Sequence, residues 1–418
     1  MLDWGLIGDD DLASLRRTRT LGLGSAIRTF NDLAVPGMGN VRFIKQLYLS
    51  SLGIGLAEKA RAKGIKVRNL EVTNALEALA CRVTFDKNNW QSDARLRGIN
   101  KLKNIKDTTF STLRKPGVYV TQPFRMGTVQ ALPALQLVNS DSSLFNSFKL
   151  SDTGWSFIER ISSELAGRKN VIDHLLNWVE GSNISPSIHE FISPTFGINS
   201  SGRDFVKGVL TRSGNELIKD KRNAILQWVN DPALEVKGHK NWNKRPSMIS
   251  EEHWKDLRTG TLFFKTRELA LELLNELEVE LEKGHANKID LDKTKTMLIK
   301  HKERLTKAAS DFLEINIDTT ENKDASVFCS ECKDVGNVIS SLVKRDGVGL
   351  ELRGNSICKG HAFRGSNVGN RNEEEGEIET STSISDKFPE HISYRVINMF
   401  YINQDLKGKL DKWFKHGN

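Results

Sequence analysis

The chain predicts a mainly α-helical, multi-domain protein with a small α/β or winged-helix-like element and a C-terminal zinc-binding module. Three observations carry this reading. Apolar residues recur at helical spacing along most of the 418 residues. One basic segment breaks that texture around a short strand-like run, and soft metal ligands cluster late in the chain.

The elements follow in order. Leu12, Leu15, Arg16 and Arg17 belong to a short, mostly polar first helix, followed by the small-residue turn Leu21-Gly22-Leu23-Gly24-Ser25. Ile27, Phe30, Leu33 and Ala34 keep helical spacing until Pro36-Gly37 stops the run. Apolar helices are expected over Val41 to Ala62 and over Glu71 to Val83. Pro116-Gly117-Val118-Tyr119-Val120 reads as a short strand after a turn, which makes residues 96–135 a helix, turn, strand and helix. Ser151-Asp152-Thr153 is a capping signal for a set of helices reaching about residue 230. Leu269, Leu273, Leu277 and Leu281 recur every fourth residue. After Gly284, Leu291, Leu298, Leu305, Ala309 and Phe312 describe the returning arm of a helical hairpin.

These elements divide into an N-terminal helical domain, 1–150, with the basic segment, and a helical domain, 151–320, ending in the hairpin. A zinc-binding module, 321–365, an acidic flexible linker, 366–386, and a C-terminal amphipathic helix, 387–418, complete the chain.

Composition bounds the class. The chain is 38% hydrophobic and 27% charged, and no run approaches the roughly 18 apolar residues of a membrane span. Its start, Met1-Leu2-Asp3-Trp4, does not read as a secretory signal. Four cysteines, mostly accounted for by a metal, fit a reducing cytoplasm. Sixty-one Lys and Arg against 53 Asp and Glu give a net charge of +8, which permits nucleic-acid contact without establishing it.

Cys329, Cys332, Cys358 and His361 fall within 33 residues as two pairs of equal spacing. Each pair is expected to come from one tight turn, and the segment between them to fold back so that four ligands enclose a structural Zn²⁺. The closed ligand set leaves no open coordination position, which favours holding a fold over catalysis.

Between residues 95 and 125, Arg95, Arg97, Lys101, Lys103, Lys106, Arg114, Lys115 and Arg125 are answered by one acid, Asp107. Eight cations so close repel one another unless an anion lies across them, and a phosphate backbone is the commonest such anion. The alternative is a solvated face balanced by acids from elsewhere in the fold. A second basic and aromatic stretch, 237–245, reads as an exposed loop in which Trp242, Lys244 and Arg245 are contact residues.

Enzyme signatures are sparse. The chain has no phosphate loop ending in Gly-Lys-Ser or Gly-Lys-Thr and no Gly-x-Ser-x-Gly elbow. Asp231 with Glu235 and Lys237 is the one nuclease-like string, and its flanks are not strand-like.

Leu21-Gly22-Leu23-Gly24, Ile27-Arg28, Phe30, Val35-Pro36-Gly37 and Arg42 together resemble an uncharacterised family encoded in prokaryotic anti-phage defence islands. Val35 stands where that family usually has Phe, and the likeness covers about the first 140 residues. The resemblance implies a defence setting beside helicase-like or nuclease-like proteins and supplies no catalytic residue. The expected role is thus a non-catalytic nucleic-acid-binding and adaptor subunit of an antiviral system, acting on DNA in the cytoplasm without a membrane partner. The alternatives are a protein–protein scaffold docking through the hairpin and the terminal helix, and a metal-dependent nuclease.

Overall fold

The computed structural model describes residues 19–165, 170–283, 288–315, 323–363 and 382–414. The expected first helix at 12–17 and all but the end of the acidic linker lie outside the described residues. Among the described residues the protein is mainly helical with two small antiparallel sheets.

In chain order the helices begin with α1 (Gly24–Ala34), α2 (Ile44–Ala62) and α3 (Asn69–Lys87), then short α4 (Ile99–Leu102), α5 (Phe110–Leu113), α6 (Phe124–Thr128) and α7 (Ala131–Ala134). Strands β1 (Val138–Asn139) and β2 (Lys149–Leu150) pair antiparallel. Helices α8 (Asp152–Ser162), α9 (Val171–Val179), α10 (His189–Ile192), α11 (Ser200–Arg212), α12 (Glu216–Asn230) and α13 (Pro232–Lys237) follow. The long α14 (Glu251–Lys283) leads through β3 (Lys288–Asp290) to α15 (Ile299–Ile315), α16 (Lys323–Lys333) and α17 (Val338–Asp346). Strands β4 (Leu350–Arg353) and β5 (Ser356–Lys359) come next, then α18 (Thr382–Ser385), α19 (Tyr394–Leu406) and α20 (Asp411–Phe414).

The chain forms two compact units. The first comprises Met1–Ala34, Glu252–Glu377 and Glu390–Ser393; the second comprises Val35–Glu251, Ile378–Pro389 and Tyr394–Asn418. This division differs from the sequential one expected from sequence, because segments distant in the chain share each core.

In the first unit Phe30 of α1, Phe263 of α14, Phe312 of α15 and Phe328 of α16 meet. The Phe30 and Phe263 centroids lie 4.9 Å apart, and Phe312 stands edge-on to Phe30 at 5.9 Å. The helical hairpin is present, with Leu269, Leu273, Leu277, Leu281, Leu305 and Ala309 all buried. Leu291 and Leu298, expected on its returning arm, instead lie in the connection that carries β3. That strand pairs with β5 in a sheet ordered β3-β5-β4, with Cys358 opposite both Lys288 and Glu351. Gly354, at φ +60°, turns β4 into β5. Two of the α/β element's three strands, β4 and β5, therefore lie inside the expected zinc module, and β3 joins them from outside it.

The element does not lie at 95–135, where the winged-helix-like reading placed it. Residues 116–120 form no strand, and the surrounding segment holds only short helices. The cause is a buried carboxylate. Glu77 of α3 accepts backbone N–H bonds from Phe124 at 2.6 Å and Arg125 at 2.8 Å. These bonds curl the chain over α3 and start α6, so this backbone satisfies its polar groups without a ladder.

In the second unit α2 is buried on every side, from Ile44 and Leu47 to Leu56 and Ala60. Its glycines allow close neighbours. A Cβ on Gly53 would sit 2.4 Å from the Thr73 hydroxyl oxygen, so α3 packs directly on the α2 backbone. The turn before α2 is equally tight: Gly39, at φ +55°, has no room for a side chain beside the Gly127 carbonyl, which accepts the Asn40 N–H at 2.9 Å. Helix α19 corrects another expectation. Instead of an amphipathic terminal helix with a free face, Arg395 through Asp405 are all buried. The scaffold reading loses one of its two docking surfaces to the unit's own core.

Candidate nucleic-acid interface

The eight cations of 95–125 are brought to quite different surroundings. Arg95 is 3% exposed, held by Asp93 at 2.8 Å and by Asp411 of α20. Arg97 donates to the Gln122 carbonyl and lies over the Phe124 ring. Arg125 donates to Asn74 at 2.6 Å, and Lys101 reaches the Gly117 and Tyr119 carbonyls. Arg114 pairs with Glu71 at 2.8 Å. Lys103, Lys106 and Lys115 project from the surface. Acids from elsewhere in the fold therefore answer Arg95 and Arg114, while Arg97 and Arg125 sit near buried Glu77, whose carboxyl burial raises to about 7.

What remains of the basic segment joins cations that the sequence reading passed over. Arg61 in the last turn of α2, and Lys66 and Arg68 in the connection to α3, are all exposed, and with Arg114 they line an open groove of about 480 Å³. Glu71 is the only acid in its lining. That carboxylate bonds Arg68 at 2.9 Å as well as Arg114, so it orients two guanidinium groups while cancelling one of four charges. Arg61 is fixed by the Asn69 side chain at 2.9 Å. Gly64, at φ +83° with open space around it, makes the turn that spreads these side chains. A signal for this groove existed in the sequence. Lys59, Arg61, Lys63, Lys66 and Arg68 stand against Glu58 alone, a run of cations denser than the one at 95–125.

The second basic stretch is a loop, as expected. Lys244 and Arg245 are exposed, Arg245 donating to the Ile249 carbonyl, whereas Trp242 is half-buried. It contributes nothing to the groove lining.

The four expected zinc ligands are placed as follows. Cys329 and Cys332 lie one turn apart on α16, both fully buried in the apolar cluster of the first unit. They do not come from a tight turn. Ala325, Phe328, Cys329 and Cys332 follow helical spacing, so the two thiols fill core positions as small apolar groups. Burial pushes both thiols well above their ordinary value, with a Thr266 hydrogen bond opposing the shift at Cys329. Cys358 is on the central strand β5, and His361 follows in an exposed turn. Among the described residues no group of three or more His, Cys, Asp or Glu side chains is disposed to hold a metal ion. The zinc-binding module expected from the sequence is thus not shown among the described residues.

The nuclease-like string is helical. Asp231 caps α13 by accepting the Ala233 N–H at 2.8 Å, and Glu235 faces Lys412 at 3.4 Å. Neither position offers a carboxylate pair on adjacent strands.

Sequence reasoning missed one further group entirely. Lys45, on the first turn of α2, is 2% exposed and lies beside Asp405 of α19 in a small cavity. Nothing in a single sequence marks a lysine inside an apolar helix as buried; the neighbouring Ile44 and Leu47 gave the only hint.

Comparison with protein-family models, curated protein sequences and solved structures finds no match to this chain. Among the described residues no helix is long and apolar enough to cross a membrane.

Proposed function

We propose that this protein binds nucleic acid through the groove lined by Arg61, Lys66, Arg68 and Arg114, extended by the exposed Lys103, Lys106 and Lys115. The observation that carries the reading is the convergence of four cations on one concave surface with a single acid. Two of those guanidinium groups are already oriented by Glu71, which lowers the entropy cost of gripping a phosphate. Such contacts position a backbone and carry no sequence information. The role is therefore that of a non-catalytic binding and adaptor subunit. The cellular setting, an antiviral defence system with a helicase or nuclease as partner, rests on the likeness of residues 21–42 to the defence-island family.

Anisotropy titrations of fluorescent single- and double-stranded DNA and RNA against salt concentration test the reading. Contact with three or four phosphates gives a log–log slope of about −3. The triple charge reversal Lys66→Glu, Arg68→Glu and Arg114→Glu abolishes binding, while Lys244→Glu with Arg245→Glu leaves it nearly intact. Salt-independent binding, or retention of affinity by the triple variant, would falsify it.

A further inference from the structure

The second unit holds a cavity of about 110 Å³ that the nucleic-acid reading leaves unused. Lys45, Arg203 and Asp405 line it, with Arg95, Asp411 and Phe196 completing the charged and aromatic wall. Lys45 Nζ donates to the Phe191 carbonyl and sits 4.9 Å from the Tyr48 ring centroid. The amine is thus held by one carbonyl and the Tyr48 and Phe196 rings, and among the described residues it forms no ion pair with a carboxylate. Asp405 spends one oxygen on the Ile44 backbone N–H at 2.8 Å. Arg95 is committed to Asp93 and Asp411, whereas Arg203 is tied through Nη1 to the Ile198 carbonyl. Arg203, Lys45 and Asp405 thus line one small space, with Arg203 Nη1 the only one of its nitrogens seen bonded among the described residues.

We propose that Lys45, Asp405 and Arg203 form a covalent-binding site for a small oxo acid, of two or three carbons, captured as an imine on Lys45. Burial lowers the Lys45 amine to about 7, against the attraction of Asp405, and raises the Asp405 carboxyl to about 6. Because the Asp405 value lies below that of Lys45, the form that carries both the free amine and the protonated carboxyl is a minority, largest between about pH 6 and 7, and it is this form that reacts. The amine lone pair attacks the carbonyl carbon, a C–N bond forms, and the carbonyl π pair moves to oxygen, which takes up the proton the nitrogen loses. Asp405 then gives a proton to that hydroxyl, water leaves, and the nitrogen lone pair closes the C=N bond. Arg203 neutralises the carboxylate of the captured acid. The charged neighbours that shape the pH dependence are Arg95, Arg203 and Asp411. This proposal stands independently of nucleic-acid binding.

The test uses the full-length protein, glyoxylate and sodium cyanoborohydride, with the reduced adduct located by peptide mass mapping. Lys45 is expected to be labelled at least about tenfold faster than the exposed Lys103 and Lys115, since an amine is reactive only when unprotonated. Asp405→Asn slows the labelling of Lys45. Arg203→Met raises the glyoxylate concentration needed for half-maximal labelling but leaves labelling by acetaldehyde, which has no carboxylate, unchanged. Labelling of Lys45 no faster than that of the exposed lysines overturns the proposal in the wild-type protein alone, without relying on any variant to fold. Equal response of both aldehydes to Arg203→Met overturns the role of Arg203.

Discussion

Each unit of this protein buries a cluster of opposite charges, and the two clusters are built differently. In the first unit Arg19 is gripped on every nitrogen. Nε bonds both oxygens of Asp346 at 3.1 Å, Nη1 bonds Asn275 at 2.7 Å, and Nη2 pairs with Glu278. Asp346 also accepts the Leu350 N–H at 2.9 Å, and a Cβ on Gly349 would collide with the guanidinium. In the second unit Lys45 has one carbonyl and the faces of two aromatic rings, and Asp405 one backbone donor, beside a cavity. The first arrangement is saturated and leaves no space, so it ties the segment around Arg19 to α14 and α17. The second leaves hydrogen-bonding capacity and volume unused. Burial of charge alone marks neither as functional; the unspent donors and the space beside them separate the two.

The largest expected effect lies in the saturated cluster. Arg19→Met strands Glu278 and Asp346 and should cost about 3–5 kcal/mol in denaturant unfolding. A loss below about 1 kcal/mol would mean that water reaches both carboxylates, and the contrast between the clusters would collapse.

The unsaturated cluster should show itself through pH. Asp405 has a folded value near 6 against an ordinary 3.8, so the folded state holds more protons between these values and stability falls as pH rises through that window. Buried Glu77, raised to about 7, adds to the same fall. Lys45 has a folded value near 7 against an ordinary 10.5, so the unfolded state binds more protons above 7 and stability rises there. Chemical denaturation across pH 5–10 should pass through a minimum between about 6 and 7, each group contributing a slope of up to about 1.4 kcal/mol per pH unit. Lys45→Met should remove the rising limb alone. A monotonic profile unaffected by that substitution breaks the assignment.

The smallest effect concerns the thiols. Cys329→Ala removes one buried sulfur and should cost about 1–2 kcal/mol through lost packing. Strong chelators should leave the thermal transition of the wild-type protein unchanged, and acid-released zinc should be substoichiometric. A transition that drops several degrees on chelation would restore the metal reading of Cys329, Cys332, Cys358 and His361.

Much of the helical layout was legible because the 3.6-residue period of apolar side chains is local: Phe30, Leu273 and Phe312 are buried where the spacing put them. The same period, in Ala325, Phe328, Cys329 and Cys332, also explains the cysteine pair, but a two-residue gap matches a metal hook equally well and spacing does not distinguish them. The strand expected at 118–120 failed for a reason no local pattern contains, since the backbone just beyond it is captured by a carboxylate more than forty residues upstream. Of the four cations lining the basic groove, only one was legible. Arg114 was one of eight cations read as a patch at 95–125, and its companions in the groove come from a different stretch.

By itself, then, the amino-acid sequence determined the helical class, the hairpin core and a modest cationic excess, because these depend on neighbours within a few turns and on simple sums. Tertiary structure alone decided which cations meet their acids, which converge on an open groove, and where Lys45 and Asp405, far apart in the chain, share one small cavity. Electrostatic surroundings are set by distance in space, and distance along the chain does not encode them.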